Sequence, residues 1–407
     1  MPKLPRQVWI LALGRLLSEI GSGFTIFYAP IFFVQQVGLS ATSVGLALGS
    51  ASISGVVGRL ISGSYADRWG RKPVLLLSTL VGSIACLIFA STQDLPTLVI
   101  GCLVQGLGLG LYWPANEAIV ADLTTGEERR TAYAFTRLAD NLGMGVGIIA
   151  GGLLISSDGG YRILFIIDGI SFCVFFVTIL LAIEETLQPQ KATIKSSGGY
   201  LTALQDRRLQ VYIAVNIILT IYISQTQTTL PLYFSNFVTQ ADAPGFKPQV
   251  ISALFAGHLL MTVACQIPIL KFLYRFSHVQ SLMISGGFWI LGFVCMTVTG
   301  TTQDYQLFWA SLGLGLFALA IVAYTPTASA LIADLAPVNL RGVYTSINSL
   351  CWAVGYAIGP PLGGWALDLS PDFAHHFWLG LAATVPLVWV TLLWLDRIIN
   401  YEHNNIL

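Results

Sequence analysis

Charged side chains are scarce in this chain. Of 407 residues only 10% are Asp, Glu, Lys or Arg, whereas an ordinary soluble domain carries about 25%. Basic and acidic residues balance at 20 each, so neither a nucleic-acid patch nor an acidic tail is available. Cysteine is sparse too. Cys86, Cys102, Cys173, Cys265, Cys295 and Cys351 show no CxxC spacing, so small buried hydrophobes are expected rather than disulfides or a metal site. There is no Walker motif, nucleophile elbow or metal-ligand cluster, which argues against ATP-driven transport within the chain and against an enzyme. A cleavable leader is not expected either, because the first apolar run is too long and lacks a small-residue cleavage site.

Apolar residues fill the space that charge leaves. Hydrophobic residues make up 55% of the chain, aromatics 12%, and glycine occurs 40 times; mean hydropathy is +0.73. A soluble fold of this composition would expose apolar surface everywhere, so an integral membrane protein is expected.

Runs of about 20 apolar residues are long enough to cross a bilayer as helices. Twelve such spans are read at 8–34, 41–65, 73–91, 96–121, 131–156, 161–183, 209–236, 248–272, 279–300, 305–333, 342–368 and 375–399. Backbone groups in lipid must be satisfied internally, and the two-residue alternation of a membrane barrel is missing. The expected fold class is therefore an all-α membrane protein of twelve transmembrane helices. Fifteen Lys and Arg residues fall on one side and only Arg162 and Lys247 on the other. That bias predicts both termini and the central loop in the cytoplasm, with the chain in the plasma (inner) membrane.

The segment Glu184–Arg208 is polar, with Pro189, Lys191, Lys195 and a Ser-Ser-Gly-Gly run at 196–199. It reads as a linker (184–208) between two six-helix bundles, 1–183 and 209–407. The halves echo each other. Pro114, Asp122 and Arg129 in and after the fourth span correspond to Pro326, Asp334 and Arg341 near the tenth, always 212 residues apart. Gly143, Gly147, Gly151 and Gly152 in the fifth span match Gly355, Gly359, Gly363 and Gly364 in the eleventh at the same separation. Two parallel repeats suggest a transporter whose halves rock about a central site.

Between the second and third spans the sequence reads G-S-Y-A-D-R-W-G-R-K-P, Gly63 to Pro73. This loop resembles the signature G-x-x-x-D-R-x-G-R-K/R of the major facilitator superfamily, and twelve spans, the 6+6 repeat and the linker extend the resemblance over essentially the whole chain. Gly63 would allow close packing, and Arg68, Arg71 and Lys72 would anchor topology. The resemblance implies a cytoplasmic latch drawn from Gly63, Asp67, Arg68, Gly70, Arg71 and Asp122, with Asp67, Arg71 and Asp122 as its charged core. In the second half the matching stretch (Lys271, Tyr274, Arg275) has lost its Asp, so a one-sided latch is expected.

The stretch G-M-G-V-G-I-I-A-G-G from Gly143 resembles the family's antiporter motif G-x-x-x-G-P-x-x-G-G, with Ile148 in place of Pro; the eleventh span carries the full form, including Pro360. Glycines spaced by four make one flat helix face for close approach of a neighbour. A third family feature fails: the Arg that usually precedes Gln105 by three positions is Cys102, so no proton-coupling role carries over to that site.

An ionisable group at mid-bilayer costs about 2.5–3.5 kcal/mol. Arg15, Glu19, Arg59, Glu117, Arg137, Asp140 and Asp168 lie within spans of the first half, while His258 alone lies well inside the second. Helix geometry puts Arg15 roughly 10 Å deep and Glu19 roughly 16 Å. A cluster of Arg15, Glu117, Arg137 and Asp140 is reasonable, and Glu19 is the acid expected to lack a formal partner and to shuttle protons; a structural ion pair with Arg15 is the competing reading. Asp168 either balances Arg162 or faces a helix neighbour, Arg59 is expected to snorkel, and His258 reads as a satisfied core histidine. Trp113, Asn116, Asn216, Tyr222, Gln225, Gln227 and Tyr324 are candidates to line a substrate cavity, or else interhelical packing contacts.

These features point to proton-coupled efflux of small amphiphilic molecules, resembling the drug–proton antiporter branch. An uptake symporter for a polar metabolite and a lipid-type flippase are the alternatives; a non-transporting scaffold or receptor is disfavoured by the paired motifs. The expected partners are the substrate, protons and the bilayer, with no cofactor beyond the proton gradient, no metal, no nucleic acid, and a monomeric state.

Overall fold

A computed structural model describes residues 4–155, 160–187, 199–240, 243–337 and 340–406. Six long helices form the first unit: α1 (Arg6–Gln35), α2 (Ala41–Trp69), α3 (Arg71–Ser91), α4 (Leu95–Leu123), α5 (Gly126–Leu154) and α6 (Gly160–Ala182). The second unit holds α7 (Gly199–Leu204), α8 (Arg207–Gln227), α9 (Thr229–Asn236), α10 (Pro248–Leu273), α11 (His278–Thr301), α12 (Gln306–Leu335), most of α13 (Arg341–Leu369) and α14 (Pro371–Ile406). Its only described strands are a two-residue hairpin, β1 (Thr239–Gln240) with β2 (Ala243–Pro244). The expected all-α membrane class holds.

Ten of the helices are long and apolar enough to cross a membrane; α5 and α13 fall outside the ten. Both carry the glycine motif, and α5 also carries Arg137 and Asp140. In α5, Asp140 is largely covered by neighbouring helices, whereas Arg137 is exposed. The seventh expected span (209–236) is broken at Thr228 into α8 and α9, and α14 runs well past the expected 399.

Polar side chains fix where the helices start. Ser40 accepts from the Ser43 N–H at 3.2 Å to open α2, and Asp94 from Thr97 at 2.9 Å to open α4. Ser277 and Gln280 form a reciprocal capping box on α11. The wall between α1, α2, α3, α4 and α6 is apolar, built around Phe32, Phe33, Phe89 and Phe165 at one end and Tyr112, Phe175 and Ile179 at the other.

Glycines set the tightest crossings. Between α2 and α4, a Cβ added at Gly58 would lie 2.6 Å from the Leu107 carbonyl. Between α1 and α5, a Cβ at Gly143 would lie 2.5 Å from the Leu16 carbonyl and 2.7 Å from Glu19 Cβ; one at Gly147 would strike the Ile20 carbonyl. Gly355 and Gly359 of α13 sit the same way over Thr220 and Ser224 of α8. Gly63, by contrast, faces open space, with nothing within 4 Å of an added Cβ; the close packing expected there is absent, because α2 turns this position outward.

Candidate functional site

The glycine face of α5 brings its backbone against α1 beside Glu19, and that approach assembles a buried ionic cluster. Arg15 (3% exposed) pairs with Glu19 (4% exposed) one helical turn away, and its Nε donates to Asp140 Oδ1 of α5 at 3.1 Å. The guanidinium carbon lies 4.1 Å over the Tyr112 ring and 5.6 Å from that of Trp113. A desolvated cation thus meets two carboxylates and two aromatic faces, each of which favours it.

Glu19 was expected to lack a partner; it is paired with Arg15 instead. The i, i+4 spacing places both on one face. Nor do Glu117 and Arg137 join Arg15 and Asp140 in one cluster. Arg137 reaches Glu117 at 3.4 Å, with side chains 60% and 50% exposed. What links the two groups is Trp113, whose ring also lies 4.4 Å under the Arg137 guanidinium. Arg59 is exposed on α2, near enough to Glu117 for the two charges to interact.

Beside Glu19 lies a mostly enclosed cavity of about 30 Å³ walled by Arg15, Glu19, Ser22, Thr79, Gln105 and Tyr112 among others. Most of its wall is apolar, but Arg15, Glu19, Ser22, Thr79 and Gln105 border it, and it is large enough for a water molecule. Ser18 Oγ and Asn116 Oδ1 are buried without a hydrogen-bond partner among the described residues.

Asp168 is fully buried where α6 meets α1 and α3, and among the described residues no base lies within ion-pair distance. Its oxygens receive the Cys86 thiol and the Ser171 hydroxyl, each at 3.4 Å. Arg162 turns elsewhere, 5.9 Å over the Phe32 ring, so the balance between Asp168 and Arg162 is not made.

On the signature loop, Arg71 Nε meets Asp122 Oδ2 at 2.6 Å. The side chain of Asp67 lies outside the described residues. Arg68 is exposed, while Lys72, expected only to anchor topology, donates to the last-turn carbonyl of Leu180 in α6 at 2.9 Å. In the second unit, Asp334, the repeat partner of Asp122, meets His278 Nε2 at 3.1 Å. The repeat therefore keeps a carboxylate contact although its signature loop has decayed.

The expected cavity residues of the second unit are closed on one another. Tyr324 donates to Asn216 Oδ1, Asn216 Nδ2 to Asn348 Oδ1 at 2.9 Å, and Tyr212 to the same oxygen at 2.6 Å. Tyr222 and Thr384 share a hydrogen bond of 2.5 Å, and Gln225 Nε2 donates to the Gly359 carbonyl at 2.7 Å. Only Gln227 is exposed, accepting from Tyr356 at 3.0 Å. Most of this set thus packs helices together. Tyr212 and Asn348 complete the network without any local signal in the sequence. His258 is satisfied as expected, 2.8 Å from the Leu314 carbonyl. Among the described residues no cluster of three or more His, Cys, Asp or Glu is placed to hold a metal.

Two helical units, each packed through a glycine face, with a buried ionic cluster in the first, define a polytopic transport protein. The model of the Major Facilitator Superfamily matches residues 11–243 and 234–404, and the chain belongs to that family. The multidrug resistance protein MdtH of Shigella boydii serotype 4 (strain Sb227) is 25% identical over 370 residues, 90% of this chain and 88% of that one. MdtH of Escherichia coli O1:K1 / APEC is 24% identical over the same coverage. Among solved structures, the nucleoside transporter NupG superposes with a TM-score of 0.84 at 15% identity, covering 97% of this chain and 100% of that one. The chain is a multi-pass membrane transporter and not an enzyme, and its partners are a small-molecule substrate and membrane lipid.

Proposed function

We propose that this protein is a proton-coupled exporter of small amphiphilic molecules working by alternating access. The halves 1–183 and 209–407, joined by 184–208, present a central site alternately to each side, with both termini and the linker in the cytoplasm of a bacterial inner membrane. The proton gradient is the driving force, no cofactor takes part, and the protein acts as a monomer.

One observation carries the reading: the Arg15–Glu19–Asp140 cluster, buried where the glycine face of α5 meets α1 and bordered by a small cavity that Arg15 and Glu19 help to wall. Two acids share one arginine, so a proton on either leaves a neutral pair rather than an uncompensated charge. Such a cluster can change its proton load without unfolding its surroundings. Of the two acids Glu19 is the one on the cavity wall, and we assign it the exchangeable proton, with Arg15 and Asp140 setting its environment. The exposed Trp113–Arg137–Glu117 patch next to it offers an aromatic face and both signs of charge, which suits amphiphilic cargo. The multidrug resistance relatives favour export over uptake.

The test is reconstitution in proteoliposomes with an imposed pH gradient and a panel of labelled amphiphiles. Accumulation that reverses with the gradient is the expected result. Flux indifferent to the gradient would remove the proton from the mechanism.

A further inference from the structure

The chain leaving α6 does not simply begin a linker. It turns back across the signature loop, and one side chain makes that turn. Helix α2 ends at Trp69, Gly70 adopts φ +109°, and α3 starts at Arg71. The first N–H groups of a helix have no partner inside it and carry partial positive charge. Glu185 supplies the partner. Its Oε1 accepts from the Arg71 N–H at 3.0 Å and its Oε2 from the Lys72 N–H at 3.1 Å, while Oε1 also accepts from Thr186 and Leu187 at 2.9 and 2.8 Å. One carboxylate thus cinches α3 to the segment after α6. The glycine of the signature loop makes room for it, since a Cβ at Gly70 would run into the Glu185 carboxylate, and φ +109° is a conformation that L side chains rarely adopt.

The next residue takes hold of the other half of the latch. Thr186 Oγ1 donates at 2.9 Å to Asp122 Oδ2, the same oxygen that receives Arg71 Nε. Glu184 adds a tie to α1 through Gln7 Oε1 at 3.1 Å. Arg71 is therefore held through its backbone and Asp122 through its carboxylate, by adjacent residues of one strap.

We propose that Glu185 is a positioning residue of the cytoplasmic latch: it fixes the start of α3 so that Arg71 points at Asp122, and it anchors the first residues of the linker to that pair. The ionisable groups facing it are Arg71 and Lys72 of α3 and Asp122 of α4. Although burial works against its charge, the four backbone donors outweigh that and hold its carboxyl below the usual range. This inference deepens the alternating-access reading and rests on it for its consequence in transport, but its test does not need a substrate.

The test is a mutant cycle on the melting of the full-length protein in detergent. The coupling between Arg71→Ala and Asp122→Ala is measured with Glu185 present and in the Glu185→Gln background. If Glu185 positions the pair, the coupling seen in the native background falls at least twofold when Glu185 is replaced, and Gly70→Ala, which evicts the carboxylate, gives the same loss. A purely structural contact would lower the melting temperature and leave the coupling intact, which overturns the proposal, as does a native background without coupling. Should Glu185→Gln fail to fold, Glu185→Asp, too short to reach both α3 N–H groups, replaces it in the same cycle with the same outcomes. Native protein without gradient-driven flux in liposomes, with the cycle as expected, would refute the exporter reading and leave this one standing.

Discussion

Arg15 and Asp140 are 125 residues apart in the chain, yet Nε of one donates to Oδ1 of the other at 3.1 Å. That contact exists because Gly143 and Gly147 let α5 approach α1 to backbone distance. A motif that looks like helix packing therefore determines an electrostatic site. Replacing Arg15 by Ala strands Glu19 and leaves Asp140 only the influence of Arg137, and breaking a buried pair in this way costs about 3–5 kcal/mol. The solubilised Arg15→Ala protein should melt several degrees lower than the native one. An unchanged melting curve would mean that the cluster is not holding α1 to α5.

Glu19→Gln keeps the shape of the carboxylate and removes its exchangeable proton. Substrate exchange across the membrane without a gradient should continue, while gradient-driven accumulation should fall at least tenfold. Retained accumulation would take Glu19 out of the proton path.

Asp168 invites the opposite expectation. Among the described residues the Cys86 thiol and the Ser171 hydroxyl serve its carboxyl at 3.4 Å, with the Thr25 hydroxyl beside it, and a charge without a basic partner in such an interior is costly. Asp168→Asn should fold and melt within about 1 kcal/mol of the native protein and retain gradient-driven accumulation. If accumulation disappears in Asp168→Asn and persists in Glu19→Gln, the proton path runs through α6 instead.

Gly147→Val tests the glycine face directly. The added side chain meets the Ile20 carbonyl, and overpacking of this kind costs about 1–3 kcal/mol. Gly63→Ala is the matched control, since nothing lies within 4 Å of its new Cβ. Thermal melting of both variants should separate them, with only Gly147→Val destabilised.

At the start of α8, Asp206 accepts from the Arg208 side chain at 3.0 and 3.2 Å and from the Tyr344 hydroxyl at 2.7 Å. Burial opposes its charge, but the hydrogen bonds from Arg208 and Tyr344 outweigh that and keep its carboxyl below the usual carboxylate range. A depressed carboxyl stabilises the fold above its unfolded-state value, and the contribution is lost as pH falls through the lower folded-state value. Melting temperature should therefore drop on acidification below about pH 4, and Asp206→Asn should flatten that slope.

Much of this was legible in the sequence because lipid leaves few choices. Apolar runs locate the helices, and identical spacings of 212 residues expose the repeat. The i, i+4 pairing of Arg15 with Glu19 follows from one helix alone. What escaped prediction depends on which helices meet. Asn348 and Tyr212 have no local signature, and their hydrogen bonds appear only once α8 and α13 are in contact. The contacts of Trp113 with two guanidinium groups likewise depend on α1, α4 and α5 coming together. The strap at Glu185 was hidden because a polar stretch after a span reads as linker, and only the fold places its carboxylate on α3.

The polar make-up of α5 also constrains how the protein is made. A helix bearing Arg137 and Asp140 partitions poorly into lipid by itself, so the insertion machinery cannot release it as an independent segment. It enters the bilayer by docking on α1, made earlier in the chain, where Arg15 receives Asp140. A nascent chain lacking α1 should consequently leave α5 on the aqueous side, and biogenesis of the first bundle becomes an obligately cooperative event.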